Sequence, residues 1–363
     1  MAVTRSREGR IPFHRLLSSE ARLYKGADST RFSSVPEFKR DVGEFAVFQQ
    51  LGKDGVLADG VSLPFSIPVA EEMYRTMVRS AVFDSIMEEL QRQGRIAFYC
   101  TNFGEEAAAV GSAAALSEAD MVWPHYRELG MFLWRGLTAQ QMADQNLGNC
   151  DDVGKGRNLQ VHYCLPDANV QTVHAVLGTH VPQASGAGYG YRIEGADRVS
   201  VAYFGDGAAS EGDALTALNF AAVFQAQTLF ICRNNGYSIS TPTSEQYAGD
   251  GIAARGPGFG VPSLRVDGND VVAVFTATQL ARKMAVTEKT PVLIELMTYR
   301  RGHHTTSDDS SLYRTESPAE LQAWREADPA LRLRLYLESQ GAWDEAAEEA
   351  TRAAVSEYAH RKM

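Results

Sequence analysis

Gly205-Asp206-Gly207 is followed by 26 residues (208–233) and then by Asn234-Asn235. A carboxylate, an amide oxygen and a nearby backbone carbonyl are hard oxygen ligands of the kind Mg²⁺ takes, and such a metal usually shares its shell with phosphates. Glycines on both sides of the carboxylate let the backbone come close to a diphosphate, and amides at the start of a following helix favour its negative charge. Arg233, directly before the asparagines, offers a planar fork to a phosphate. A lone GDG is most often a tight turn; a GDG that meets NN one βα unit later is a much rarer pair.

A second cluster is Arg300-Arg301-Gly302-His303-His304-Thr305-Thr306-Ser307-Asp308-Asp309. Adjacent histidines point in different directions, which makes them poor joint ligands for one metal. One of them suits an acid/base or anion-contact role that its surroundings tune near neutral pH. Standing alone, the segment reads as a solvated polar loop. Other phosphate motifs fail. Gly154-Lys155-Gly156 lacks a following Ser or Thr, and the run Gly186-Ala187-Gly188-Tyr189-Gly190 has no strand before it. The latter reads as glycines that let a helix pack closely.

The elements that must position these residues follow from periodicity. Arg198–Phe204 alternates Val199, Val201 and Tyr203 and reads as a strand that delivers the GDG turn. Ser210–Phe224 is helical, and Thr228–Cys232 is a short apolar strand leading to the asparagines. Asp270–Thr287 is helical, Val266-Asp267-Gly268 ends a strand, and the strand Val292–Met297 delivers the histidine cluster. Upstream, apolar residues recur every fourth position over 70–93, with Gly94 as the stop, and Glu105–Leu116 is an Ala-rich helix. From Ser317 on the pattern is helical. This alternation implies an α/β fold, a mainly parallel sheet with helices on both faces plus C-terminal helices. In such a sheet ligands bind at the carboxyl edge of the strands, where both clusters fall.

Of 363 residues, 44% are hydrophobic, enough for a large core, and the net charge is −10. An acidic chain lacks the basic footprint that nucleic acid or an anionic membrane requires, and no run approaches the apolar length of a membrane span. A soluble chain is expected. Any anion must then be met by local arginines and backbone amides. Cys100, Cys150, Cys164 and Cys232 form no CxxC pair and read as reduced thiols. Residues 1–35 are rich in arginine and poor in acid, which suits either an organelle transit peptide or an arm lying on a partner. The folded part is expected to begin near Pro36.

GDGAASEGD with CRNNGYSISTPTSEQY, GDGIAARGPGFG, RVDGNDV and TYRRGHHTTSDDSSLYR resembles the alpha subunits of branched-chain 2-oxo acid dehydrogenases, the thiamine diphosphate-dependent decarboxylating component of that complex. The likeness runs from about Gln91 to the C-terminal helices. It implies three regions: 1–35 as the basic arm, 36–316 as a thiamine diphosphate-binding α/β domain and 317–363 as a C-terminal helical segment. Pyruvate and acetoin dehydrogenase alpha subunits are the neighbouring alternatives. A non-catalytic interaction subunit of the same fold is a further one, disfavoured by the intact motifs.

The resemblance also implies roles. Asp206 and Asn235 would ligate Mg²⁺ through side chains and Tyr237 through its carbonyl. Tyr126, Arg127, Arg233 and His304 would bind the diphosphate, Gly207 and Ala208 would give backbone contacts, and Leu177 would sit under the cofactor's rings. His304 would stand near the reactive carbon, with His303, Asp308, Tyr313 and Arg314 ordering its loop. Phe98, Tyr99, Leu177 and Tyr237 are the candidates for lining a branched substrate's pocket. The family places a phosphorylated serine where Thr305 stands, and a potassium ion in the stretch Thr172–His180, where His174 and His180 replace small polar and amide residues and speak against the ion. A separate beta chain would supply the rest of the active site in an α2β2 heterotetramer that serves a lipoyl-bearing acyltransferase core. The mitochondrial matrix is the expected location, with a bacterial cytoplasm as the alternative.

Overall fold

The computed structural model describes residues 43–362; the basic arm over 1–35 and the expected start near Pro36 lie outside them. In chain order the elements are β1 (Val47–Phe48), α1 (Ile67–Arg92), α2 (Glu106–Ala114), β2 (Met121–Trp123), α3 (Leu129–Trp134), α4 (Ala139–Leu147) and α5 (His180–Glu194). Next come β3 (Ser200–Gly205), α6 (Gly212–Phe224), β4 (Thr228–Asn234), β5 (Tyr237–Ser238), β6 (Thr241–Pro242), α7 (Thr243–Gln246) and α8 (Arg255–Gly258). The chain ends with β7 (Ser263–Asp267), α9 (Val271–Thr287), β8 (Val292–Met297), α10 (Pro318–Glu326), α11 (Pro329–Ser339) and α12 (Glu345–Lys362).

Six strands form one parallel sheet in the order β1-β7-β8-β4-β3-β2. Its central strands are buried, and their side chains alternate between two cores. Val201, Tyr203, Leu229, Ile231, Ile294 and Leu296 enter the core on one face, whereas Ala202, Phe204, Phe230, Cys232 and Leu293 enter the core on the other. A strand covered on both faces needs apolar residues at every position rather than every second one, which explains the unbroken run Leu229–Cys232. Helices lie on both faces, as the sequence pattern implies. α5 and α6 pack on the second core, and Gly188 allows it: a Cβ there would meet Thr228 Oγ1 at 2.2 Å and Ser200 Oγ at 2.7 Å. Of the glycine run, Gly188 alone is a packing device: a Cβ at Gly186 or Gly190 would meet nothing within 4 Å.

Boundaries differ from the periodicity in ways that matter for the site. β4 continues through Asn234, so Arg233 and Asn234 lie inside the strand rather than after it. The helix expected from Ser210 is split into a 3₁₀ turn at Ala208–Ser210 and α6 from Gly212, which turns the backbone sharply after the GDG. α9 begins one residue after Asp270, whose carboxylate accepts the N–H groups of Val272 and Ala273 as an N-cap. The same carboxylate accepts Gln50 N at 2.6 Å and Leu51 N at 2.7 Å, tying the segment beside β1 to the sheet. Among the described residues no helix is long and apolar enough to cross a membrane, and all four cysteines are free thiols.

Candidate active site

Register assembles the site. Gly205 pairs with Arg233 across β3 and β4, and Asn234 pairs with Met297 across β4 and β8. The GDG turn, the asparagines and the histidine loop therefore leave adjacent strands at one carboxyl edge. Asp206 N–H donates to Arg233 O at 3.2 Å, and Asp206 Oδ2 accepts from Gln246 Nε2 at 2.9 Å. The two asparagines separate in function here. Asn234 turns inward, donating to Glu295 Oε1 at 2.8 Å and to Tyr247 OH at 3.0 Å; Asn235 faces the cavity.

That cavity, about 90 Å³, is lined by Tyr126, Arg127, Leu177, Asp206, Gly207, Ala208, Arg233, Asn235, Tyr237 and His304, residues from five separate stretches of the chain. It also takes in His125, Ser238, Ile239 and Arg300, which sequence reasoning did not assign to it. Arg300 follows β8 in the histidine cluster, so its place at the strand edge was the available signal. Phe98 and Tyr99, expected at a substrate pocket, do not line it. Phe98 packs against the core, and Tyr99 is buried with its hydroxyl donating to Asp84 Oδ1 at 2.8 Å. His303 also stays outside. Its Nδ1 accepts the backbone N–H of Ser310 at 3.0 Å, so it braces the loop. Thr305 is half-buried, its Oγ1 accepting Ser307 N–H at 3.3 Å.

The electrostatics divide into a neutralised half and a cationic half. Arg233 is 1% exposed; its Nε donates to Glu128 Oε1 at 2.6 Å and its Nη1 to Glu105 Oε2. Its Nη2 reaches His125 Nδ1 at 3.2 Å. The fork expected to meet a phosphate is thus already filled by the carboxylates of Glu128 and Glu105. Arg127 and Arg300 are different. Arg127 donates from Nη1 to Thr101 O and from Nη2 to His304 O at 2.8 Å. Arg300 donates to Ile239 O at 3.0 Å and to His304 Nδ1 at 3.2 Å, and its buried Nε has no partner. These cations meet mainly neutral oxygens and nitrogens, with Glu105 Oε1 3.8 Å from Arg127 Nε.

His304 reports that surplus. Burial first, then Arg127 and Arg300, push its imidazole down to about 3, against an opposing pull from Asp308. The ring is neutral at pH 7. With Arg300 donating to Nδ1, its hydrogen sits on Nε2. The loop holds it firmly: His304 N–H donates to Asp308 Oδ2 at 2.9 Å, and Tyr313 OH donates to the same oxygen at 2.5 Å. Arg314 ties the loop's start through the carbonyls of Arg300 and Gly302.

The residues fit a metal-bound diphosphate. Asp206 is buried, and desolvation raises its carboxyl pKa, a strain that a bound cation would relieve. Gly207 and Ala208 line the cavity, and Gly207 lies so close to Ser238 that a Cβ would stand 2.3 Å from Ser238 Oγ. The partnerless Arg300 Nε and the weakly compensated Arg127 guanidinium supply positive charge. Leu177 is 38% exposed at the rim, an apolar surface for a ring.

Comparison with known proteins agrees. The family described as "Dehydrogenase E1 component" matches residues 74–361. The 2-oxoisovalerate dehydrogenase subunit alpha, mitochondrial, of Dictyostelium discoideum is 47% identical over 332 residues, covering 91% of this chain and 74% of the relative. The protein of the same name from Caenorhabditis elegans is 49% identical over 334 residues, 91% of this chain and 77% of its own. That of Homo sapiens is 54% identical over 282 residues, 77% of this chain, but the match spans only 63% of the human protein. With the match reaching from the first third of α1 to the last turn of α12, the chain belongs to the dehydrogenase E1 component family.

Proposed function

We propose that this chain is the alpha subunit of a branched-chain 2-oxo acid dehydrogenase, which oxidatively decarboxylates the 2-oxo acids of valine, leucine and isoleucine and passes the acyl group to lipoamide. The E1 family uses thiamine diphosphate, and the relatives' names, 2-oxoisovalerate dehydrogenase subunit alpha, mitochondrial, support the substrate class and a mitochondrial location, which we take to be the matrix. The observation that carries the reading is the convergence of Asp206, Asn235, Arg127 and His304 on one cavity at the sheet's carboxyl edge.

Thiamine diphosphate, when bound, supplies the nucleophilic carbon and the electron sink for decarboxylation. This chain's part is to bind, orient and exclude water. Asp206, Asn235 and the Tyr237 carbonyl hold Mg²⁺. Tyr126, Arg127, Arg300, His304 and the Nη2 edge of Arg233 would hold the diphosphate, with Gly207 and Ala208 as backbone contacts and Leu177 as an apolar surface for the rings. His304 offers its Nε2–H to an anionic oxygen without bringing a full charge, and Arg300 and Asp308 keep the ring in place. His303 acts through Ser310 on the loop rather than on the reacting atoms. Leu177 and Tyr237 are the substrate-pocket residues that remain at the cavity. A phosphoryl group on Thr305 would add roughly −1.5 to −2 charge beside the diphosphate-binding histidine. In the Thr172–His180 turn His180 Nε2 donates to Tyr203 O at 2.7 Å, and the two histidines that replace small polar and amide residues there argue against a potassium ion.

A cavity of about 90 Å³ is well below the roughly 300–1,000 Å³ that encloses a ligand of cofactor size. It suits the diphosphate end alone. A beta subunit then closes over the remainder, in an α2β2 heterotetramer with sites at the α/β interfaces, and the assembly docks on a lipoyl-bearing acyltransferase core. Of the described residues, 44–316 belong to the cofactor domain and 317–362 to its helical extension. The test is calorimetric titration of thiamine diphosphate with and without Mg²⁺, on this chain alone and co-purified with a beta subunit. Metal-dependent binding that is strong only in the assembly supports the reading; equal binding by the isolated chain removes the half-site argument.

A further inference from the structure

We infer that Glu105 is a positioning residue for the metal site: its carboxylate decides which end of the Asn235 amide faces Asp206. This rests on the magnesium reading above and goes beyond it, since Glu105 does not itself line the cavity and acts only through the residues that do, Asn235 and Arg233.

An asparagine amide has two ends of opposite character, and only the oxygen can ligate a cation. Asn235 Nδ2 donates to Glu105 Oε1 at 3.0 Å. Oδ1 is therefore on the other end, where it accepts the N–H of Tyr237 at 3.2 Å, the residue whose carbonyl is the third expected ligand. Flipping the amide would set Oδ1 against Oε1, two acceptors with no proton between them, in a site where Glu105 is 1% exposed and water does not intervene. Nor can Glu105 turn to accommodate the flip. Its Oε2 is held by Arg233 Nη1, and its own N–H is held by Asn102 O at 3.0 Å just before α2. One buried carboxylate thus couples the metal ligand to Arg233, and at 3.8 Å to Arg127.

The fold supplies this pair from distant segments, 130 residues apart in sequence. Supporting carboxylates of this kind tune a metal site through its ligands, and their loss typically costs about 10–100-fold in metal affinity.

Glu105→Gln makes the prediction specific. Arg233 keeps a glutamine oxygen to donate to, so the glutamine's amide nitrogen must face Asn235. The Asn235 amide then reverses and presents its nitrogen to the metal. Asn235→Asp added to Glu105→Gln repairs this, because one carboxylate oxygen accepts from the glutamine and the other remains for the metal. Asn235→Asp alone opposes two carboxylates and is not repaired.

The experiment is Mn²⁺ titration by electron paramagnetic resonance on the chain assembled with its beta subunit, in the presence of thiamine diphosphate. Glu105→Gln is expected to weaken Mn²⁺ about 10–100-fold, and the double variant to bind more tightly than either single one. Wild-type affinity in Glu105→Gln, alongside loss of binding in an Asp206→Ala control, overturns the inference while the metal site stands. Unchanged affinity in Asp206→Ala overturns the metal site itself. If Glu105→Gln does not assemble, the order of Asn235→Asp against the double variant decides. Weaker binding by the double variant contradicts the inference.

Discussion

Arg127 Nη2 donates to the backbone carbonyl of His304 at 2.8 Å, across 177 residues of sequence. The bond fastens the loop after β8 to the segment after β2, and the second arm of the same guanidinium holds Thr101 O. One side chain thus brings together a cation, a neutral histidine and the two loops that frame the cavity. His304→Ala removes the imidazole but leaves the carbonyl that Arg127 holds. Assembly with a beta subunit is therefore expected to be intact while turnover falls about 10²–10⁴-fold, the usual range for a positioned acid/base group. Stopped-flow measurement of acyl transfer to a lipoyl domain checks this, and unchanged rates would refute the role.

Asp206→Ala removes the charged member of the metal site. Desolvation raises the Asp206 carboxyl pKa, so the substitution also removes a group that is costly to keep ionised without a cation. The folded chain is expected to be no less stable, while Mg²⁺-dependent binding of thiamine diphosphate is abolished. Thermal unfolding and calorimetric titration on one sample read both. Cofactor affinity equal to wild type would sink the metal assignment.

The His304 ring should titrate differently with and without the diphosphate. Free, its pKa is about 3, below its value in the unfolded chain, so between pH 3 and about 6.5 the unfolded state binds the extra proton. This residue's contribution to stability is thus lost as pH falls through that window. An anion beside the ring favours the imidazolium and raises the pKa. Titration of ¹⁵N-labelled histidine should show a neutral ring from pH 8 to 5 in the free protein and an upward shift with Mg²⁺ and thiamine diphosphate. A titration that ignores the cofactor would place the diphosphate elsewhere.

Gly207 is required by contact rather than by backbone conformation. Its φ is −63°, accessible to any residue, but a Cβ would stand 2.3 Å from Ser238 Oγ and 2.9 Å from Ser238 Cβ. Gly207→Ala should cost about 1–3 kcal/mol, as overpacking does, and widen the gap between the GDG turn and β5. Ser238→Gly in the same chain should recover most of the stability in denaturant melts. No recovery in the double variant would mean that the glycine serves the ligand and not the packing.

Much of this was legible in sequence where a local rule sets the structure. The alternation of strand and helix patterns implied the parallel sheet, and the GDG-to-NN spacing placed both motifs at one edge because a single βα unit separates them. Less legible was whatever depends on partners far along the chain. Glu105 and Glu128 look like ordinary helix-start acids, yet they lie beside Arg233 and fill its fork. Tyr99 was expected to line a substrate pocket, but the segment after α1 sends its ring into the core and its hydroxyl to Asp84. The contrast between Asn234 and Asn235 is a matter of strand length: β4 runs two residues beyond its apolar stretch, so the first asparagine still faces inward to Glu295 and only the second reaches the cavity.

The central claim is that this cavity, completed by a beta subunit, turns over branched-chain 2-oxo acids. Steady-state assay of the co-expressed assembly with thiamine diphosphate, Mg²⁺ and a lipoyl domain, comparing 3-methyl-2-oxobutanoate with pyruvate, tests it most directly. The account predicts a higher kcat/KM for 3-methyl-2-oxobutanoate by about tenfold or more, the scale of discrimination by added methyl groups in an apolar pocket. Preference for pyruvate, or cofactor binding without turnover of either acid, would contradict it.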